Sequence, residues 1–244
     1  MEIENVVSIK GVSKAFKEKH ILKDISLDIK RAENVVVLGK SGSGKSTLIK
    51  CMVGLMEPDE GEICIFGKDM AHIDYDELNS FRTRIGFLFQ SGALYDSMTV
   101  YENLAFPLRH HKKEMGRKKL DELIHEALDN VGLPEAGNMM PSELSGGMSK
   151  RIGLARTLIL KPEIMLYDEP TTGLDTATAK EISQLIVDLQ RKYKISSLII
   201  THDIACAKTV ADRVVMLKEG VIIAEGTYEE MENSEDVWIR SFFS

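Results

Sequence analysis

Apolar residues recur at short, loosely alternating intervals through residues 5–30 (Val6, Ile9 and Val12, then Ile21, Leu22, Ile25, Leu27 and Ile29), which predicts two or three β-strands. Val35–Leu38 is a continuous apolar run leading into a Gly/Ser-rich stretch, so it predicts a buried strand, a loop and a helix from about Lys45 to Leu55. Ile63–Gly67 and Ile85–Phe89 read as further short strands. From about Ser91 to Leu160 the period becomes helical. Leu120, Leu123, Ile124, Ala127, Leu128 and Val131 form one stripe at i, i+3, i+4 spacing, stopped by Gly132 and Pro134. Strand–helix alternation resumes with a strand at Ile164–Tyr167, a helix at Thr176–Lys192 and a strand at Leu198–Thr201. Val214–Leu217 and Val221–Ala224, joined by Lys218-Glu219-Gly220, read as a β-hairpin.

The pattern therefore describes an α/β chain interrupted by a helical lobe. Residues 1–90 and 161–244 are expected to form one core, residues 91–160 the insertion and residues 232–244 a tail. Strands alternating with helices imply a parallel sheet, with ligand loops at the strands' C-terminal ends. Within the tail, Ser234–Phe243 is expected to be a short helix capped by Ser234, with Val237, Trp238, Ser241 and Phe242 on one side. A helix that short is marginal alone, so it should dock on the core or on a partner, anchored by Trp238.

Composition narrows the class. The 244 residues are 43% hydrophobic and 28% charged, enough for a full globular core. No apolar run approaches the roughly 18–20 residues needed to cross a bilayer. Met1-Glu2-Ile3-Glu4-Asn5 lacks the basic and apolar regions of a signal peptide. Cys51, Cys64 and Cys206 are odd in number and far apart, which favours inert thiols in a reducing cytoplasm over a disulfide framework or zinc site. A net charge of −7 argues against a nucleic-acid partner, but not against a nucleotide held by backbone N–H groups. Arg109-His110-His111-Lys112-Lys113 reads as a solvated basic run.

Candidate chemistry lies in the loops. Gly39-Lys40-Ser41-Gly42-Ser43-Gly44-Lys45-Ser46 fits a P-loop, and it lies between a predicted strand and helix as phosphate binding requires. Its N–H groups would turn inward on phosphate oxygens, Lys45 would reach the terminal phosphates, and Ser46 would ligate Mg²⁺. Thr47 closes the loop. Ile164–Tyr167 ends in the adjacent carboxylates Asp168 and Glu169. Neighbours on a strand face opposite ways, so Asp168 suits a magnesium ligand, direct or through a water, and Glu169 the base that aligns the attacking water. Leu144-Ser145-Gly146-Gly147 opens a predicted helix and makes a second phosphate nest. One ATP does not need two cradles, so this nest should close on the ATP of another copy.

P-loop, Leu-Ser-Gly-Gly and apolar-Asp-Glu, in that order, resemble the ATP-binding cassette family over essentially the whole chain. The resemblance implies a P-loop NTPase (RecA-like) core with a small antiparallel β subdomain and an inserted helical subdomain. It implies a magnesium-dependent ATPase that dimerises with a second copy and attaches peripherally to the cytoplasmic face of the plasma membrane through a permease. It makes Gln90 the glutamine that touches Mg²⁺ or water and links to the helical lobe. Asp175 becomes a trans-acting aspartate, although alone it reads as the N-cap of Thr176–Lys192. His202 becomes a γ-phosphate contact, although a lone His at a strand end is more often structural. Phe16 falls where the family stacks an aromatic on adenine, with a core role as the alternative.

The chain departs from the family pattern at Met148, where most members have Gln, and at Lys40, where a small residue or Pro is common. Leu-Ser-Gly-Gly-Met, the stretch Phe89–Leu108 and the ending Val237-Trp238-Ile239-Arg240-Ser241-Phe242-Phe243 resemble the ATPase of Mla-type (Mce-associated) lipid transporters. That resemblance implies lipid cargo and an Mce-type lipid-binding partner, with another cargo or a cell-division or lipoprotein complex as the alternative. Tyr95 and Met98 flank Asp96 in a loop-like stretch and are expected to be exposed for a permease helix, while Leu104 and Leu108 pack the lobe.

Overall fold

The computed structural model describes residues 5–112 and 114–243, so most of the N-terminal segment read for a signal peptide, and Lys113 of the basic run, lie outside the described residues. In chain order, β1 (Asn5–Phe16) and β2 (Lys19–Lys30) pair antiparallel. β3 (Asn34–Leu38) is buried throughout and enters the glycine loop and α1 (Lys45–Met52). The helix stops short of Leu55, because Gly54 turns the chain at φ 65° and leaves Leu55 60% exposed. β4 (Glu60–Ile65) and β5 (Lys68–Asp69) follow, then α2 (Tyr75–Arg84) and β6 (Ile85–Leu88). α2 is rich in polar residues and has no long apolar stripe; its local signal is Asp74, whose carboxylate accepts from the Glu77 N–H.

Three helices come next: α3 (Val100–His111), α4 (Arg117–Asn130) and α5 (Gly146–Leu158). The chain then runs through β7 (Ile164–Asp168), α6 (Thr176–Tyr193), β8 (Ser196–Thr201), α7 (Ile204–Val210), β9 (Arg213–Lys218), β10 (Val221–Gly226), α8 (Tyr228–Glu232) and α9 (Val237–Arg240). Among the described residues no helix is long and apolar enough to cross a membrane.

The strands form an antiparallel sheet ordered β2-β1-β4-β5 and a mixed sheet ordered β10-β9-β3-β8-β7-β6. In the mixed sheet every neighbouring pair is parallel except β9 and β10. Glu219 and Gly220 both take positive φ (49° and 84°), the geometry of a tight hairpin turn matched to strand twist. One hydrophobic cluster lies between the two sheets and α1, and another packs α6 and α7 on the mixed sheet's other face. A third belongs to α3, α4 and α5 and includes Leu104 and Leu108, both fully buried. The α4 stripe fills it through Leu120, Ile124, Ala127 and Leu128. The result is an α/β cassette in which parallel strands β3, β6, β7 and β8 all send their C-terminal ends toward one edge.

The tail docks on the chain's own core but not as the helical period implied. Asp236, not Ser234, caps α9, its carboxylate accepting from the N–H groups of Trp238 and Ile239. With a helix of only four residues, the wheel drawn over ten positions no longer applies. Ile239 is buried, Trp238 and Phe242 are half-buried, and Val237 is 72% exposed. Phe242 packs on Trp238 at 4.7 Å and Phe243 on Tyr228 at 5.2 Å.

Candidate functional site

A cleft of about 720 Å³ opens at that edge. Phe16, Gln90, Asp168, Glu169, His202 and every residue of Gly39–Thr47 except Ser43 contribute to its lining, although they come from four strand ends and the β1–β2 hairpin. The glycine loop is shaped by close contact as well as by turn geometry. A Cβ on Gly39 would sit 2.4 Å from the Leu217 carbonyl oxygen, and Gly44 caps α1 at φ 109°. Lys45 is 8% exposed, and its Nζ donates to the carbonyls of Gly39 (2.7 Å) and Lys40 (3.2 Å). Burial lowers its pKa, while the charges of Glu169 and Asp168 work the other way. Lys40 therefore has a place in the loop: its carbonyl holds Lys45, and its exposed side chain lines the cleft.

Across the cleft, burial and the adjacent Glu169 raise the Asp168 pKa, against the pull of Lys45, Lys50 and Lys150. Glu169 sits one residue beyond β7 at φ 52°, left-handed backbone that costs a non-glycine residue on the order of 1 kcal/mol. Its surroundings hold it there. The Glu169 N–H donates to the Ile200 carbonyl at 2.8 Å. The hydroxyls of Thr172 and Thr201 donate to Oε2 at 3.1 and 3.3 Å, and His202 Nδ1 lies 2.9 Å from Oε1. The sequence marked Glu169 and His202 separately; the two threonines carry no motif-level signal that could have found them. Gln90 is exposed beyond β6 and faces the same cleft. Phe16 ends β1 with 47% of its surface exposed, which removes the core alternative and leaves a ring free to stack.

Ser145, Gly146, Gly147 and Asp175 are not brought into this cleft. Ser145 caps α5, accepting from the Met148 N–H at 3.2 Å, and lies exposed with Gly146. Met148 thus supplies the backbone N–H that Ser145 caps, a role that does not depend on its side chain. A Cβ on Gly147 would fall 2.5 Å from Thr178 Cγ2, so a larger residue there requires Thr178 to move. Asp175 caps α6 through the N–H groups of Ala177 and Thr178.

The groups present fit a nucleotide and a hard cation. The cleft lining carries the ammonium of Lys45 and the hydroxyls of Ser41, Ser46 and Thr47, donors that phosphate oxygens would satisfy. The hydroxyl of Ser46, the carboxylate of Asp168 and the amide oxygen of Gln90 are all-oxygen donors, suited to magnesium.

The ABC transporter family model matches residues 22–172. A probable ribonucleotide transport ATP-binding protein, mkl, of Mycobacterium leprae is 41% identical over 98% of this chain and 68% of that protein, so the chain spans about two thirds of its length. The intermembrane phospholipid transport system ATP-binding protein MlaF of Haemophilus influenzae is 34% identical over 98% of this chain and 90% of that protein. Among solved structures, the ATP-binding cassette MJ0796, a dimer in a post-hydrolysis state bound to ADP and Pi, superposes with a TM-score of 0.82 at 35% identity, covering 91% of this chain and 98% of that one. The family model over residues 22–172 and the relatives 34–41% identical along 98% of the chain place it plainly: the chain belongs to the ABC transporter family and is one of its ATP-hydrolysing cassettes.

Proposed function

We propose that this chain works as a homodimer that hydrolyses ATP to drive lipid, most plainly phospholipid, through a partner permease. The observation that carries the catalytic reading is the split between the two phosphate nests. The P-loop faces the chain's own Asp168, Glu169 and His202, while Ser145 is exposed outside that cleft at the start of α5. Two copies facing head to tail would place Ser145, Gly146, Gly147 and Asp175 of each over the P-loop of the other.

In that arrangement the P-loop N–H groups and Lys45 bind the phosphates, and Phe16 stacks on adenine. Glu169 accepts the proton of the attacking water, and His202 holds the carboxylate and contacts the γ-phosphate. Ser46, Asp168 and Gln90 would hold magnesium, which would supply charge neutralisation of the phosphates. Closing the dimer completes each site and hydrolysis reopens it, which couples chemistry to mechanical work.

The permease surface would be the groove lined by Ser97, Met98, Glu102, Phe106, Arg109 and His110. Tyr95 and Phe106, each 41% exposed, pack on each other in a tilted pair with ring centroids 5.1 Å apart, and Phe106 lines the groove. Met98 is half-buried rather than exposed, because the chain turns back at Met98 onto the Tyr95 carbonyl. A protein so attached would lie peripherally on the cytoplasmic face of the membrane, with an Mce-type lipid-binding protein as a further component.

The lipid reading rests on Leu-Ser-Gly-Gly-Met, on the Phe89–Leu108 stretch and on the likeness to MlaF. The name of the mycobacterial relative favours a second reading, a ribonucleotide cargo. Purifying the assembled complex and extracting it for lipid separates them. Phospholipid copurifying and moving between vesicles on ATP addition supports the first, and ATP-driven uptake of ribonucleotide without lipid movement supports the second.

A further inference from the structure

Helix α5 carries a second buried lysine that the catalytic reading does not use. Lys150 is 6% exposed and lies one and a half turns into the helix that Ser145 opens. Its ammonium has no carboxylate oxygen within bonding range among the described residues. It donates instead to the main-chain carbonyls of Gln90 at 2.5 Å and Glu169 at 3.2 Å. Those carbonyls belong to the two segments that end β6 and β7 at the cleft.

The cost of burying this ammonium is evident from its pKa, which desolvation lowers even though Glu169 and Asp168 lie near enough to raise it. Leaving a buried charge without partners is costly, so this ammonium and the two carbonyls it bonds are held together. The backbone of Glu169 is the strained one, at φ 52°. A donor fixed on its carbonyl holds the plane of the following peptide, and with it the direction in which the carboxylate leaves the chain. The same ammonium fixes the carbonyl of Gln90. The neighbouring stretch of α5 supports the arrangement: a Cβ on Gly153 would meet the Gly92 carbonyl oxygen at 3.0 Å, and Arg156 donates to the Ala93 carbonyl at 2.5 Å.

We infer that Lys150 is a positioning residue for hydrolysis: by bonding the carbonyls of Gln90 and Glu169 together, it locks the catalytic carboxylate and the Gln90 segment into one frame with helix α5. This rests on Glu169 being the base. The ammonium touches no reacting atom, so its removal should slow chemistry and spare ATP binding. A misplacement of catalytic groups by about 1 Å can cost on the order of 100-fold.

The test is steady-state and binding measurement on Lys150→Met, Lys150→Gln and Lys150→Arg in the full-length dimer, beside Glu169→Gln and with melting curves for each. Lys150→Met, which keeps the aliphatic stem, should lower kcat by about 10- to 100-fold with the ATP Kd unchanged. Lys150→Arg, which can still bond a carbonyl, should recover most of the loss, and Lys150→Gln, a shorter and uncharged donor, should fall between. If Lys150→Met does not fold, the Gln and Arg variants still make the comparison. Unchanged kcat in the Lys150 variants while Glu169→Gln collapses would overturn the inference and leave the catalytic reading intact. An equal loss of kcat, ATP affinity and melting temperature, with no recovery in Lys150→Arg, would reduce the residue to packing. Retained turnover in Glu169→Gln would remove the base itself.

Discussion

Nδ1 of His202 lies 2.9 Å from Oε1 of Glu169, and the contact joins the ends of the adjacent parallel strands β8 and β7. It aims the carboxylate from one strand with a ring from the next. Glu169→Gln keeps the side chain's size and removes its basicity, so hydrolysis should fall by about 10²–10⁴-fold. ATP binding should persist and an ATP-loaded dimer should accumulate. Turnover and gel filtration with ATP present measure both.

The P-loop entry tolerates no side chain. Gly39→Ala places a methyl 2.4 Å from the Leu217 carbonyl oxygen and 2.7 Å from Ser43 Oγ. Backbone must move, at a cost of about 1–3 kcal/mol, and the loop that would cradle phosphate moves with it. Both a lower melting temperature and weaker ATP binding are expected. Calorimetry and a fluorescent-nucleotide titration check the two separately.

Motifs and long apolar runs made much of this fold readable before any coordinates. The buried strands β3, β7 and β8, the α4 stripe and the P-loop are each contiguous, so their chemistry and their periods are written in adjacent letters. Most of what stayed hidden is built from residues distant in sequence. Thr201 and Lys150 meet Glu169 only through the packing of α5, β7 and β8, while Thr172 meets it through the local turn that follows the strand. The tail was misread for another reason: Asp236 starts a helix too short for an apolar period to express itself, and docking then selects Ile239 over Val237. Helix α2 is signalled by its cap and hardly by its pattern.

Acid should loosen the junction between β3 and β9. Burial works to raise the Glu33 pKa, but hydrogen bonds from Arg213 and the Lys30 N–H, with both their charges, outweigh it and leave the pKa lowered. Arg213 donates to both carboxylate oxygens, at 2.8 and 3.1 Å. A group whose folded pKa is depressed contributes stability above its unfolded pKa and loses it as pH falls through the folded one. Stability should therefore drop on acidification below the ordinary glutamate range. Glu33→Gln should be less stable at neutral pH, by about 1–3 kcal/mol, and less sensitive to acid. Urea melts across that pH range show whether the two curves converge.

The groove beside α3 gives a prediction about attachment. Phe106→Asp and Tyr95→Asp alter two half-exposed rings that pack on each other, with Arg156 4.6 Å above Tyr95. Each should leave ATP binding intact and cost little stability, while the chain is lost from the membrane fraction of cells expressing the permease. Fractionation, with melting curves as control, reads this out. Undiminished membrane recovery contradicts the groove's assignment.

The central claim, that each ATP is completed by a second copy, is tested most directly by mixing two inactive variants. Ser145→Arg should bind ATP as an isolated chain yet not hydrolyse it, because the blocked nest belongs to the partner's site. Lys45→Ala should fail for lack of its own phosphate contact. In a heterodimer of the two, the P-loop of the first meets the intact nest of the second, so one complete site forms. The account predicts that ATPase activity appears on mixing and rises with the heterodimer fraction. No activity on mixing at any ratio, or loss of ATP binding by isolated Ser145→Arg, would contradict it.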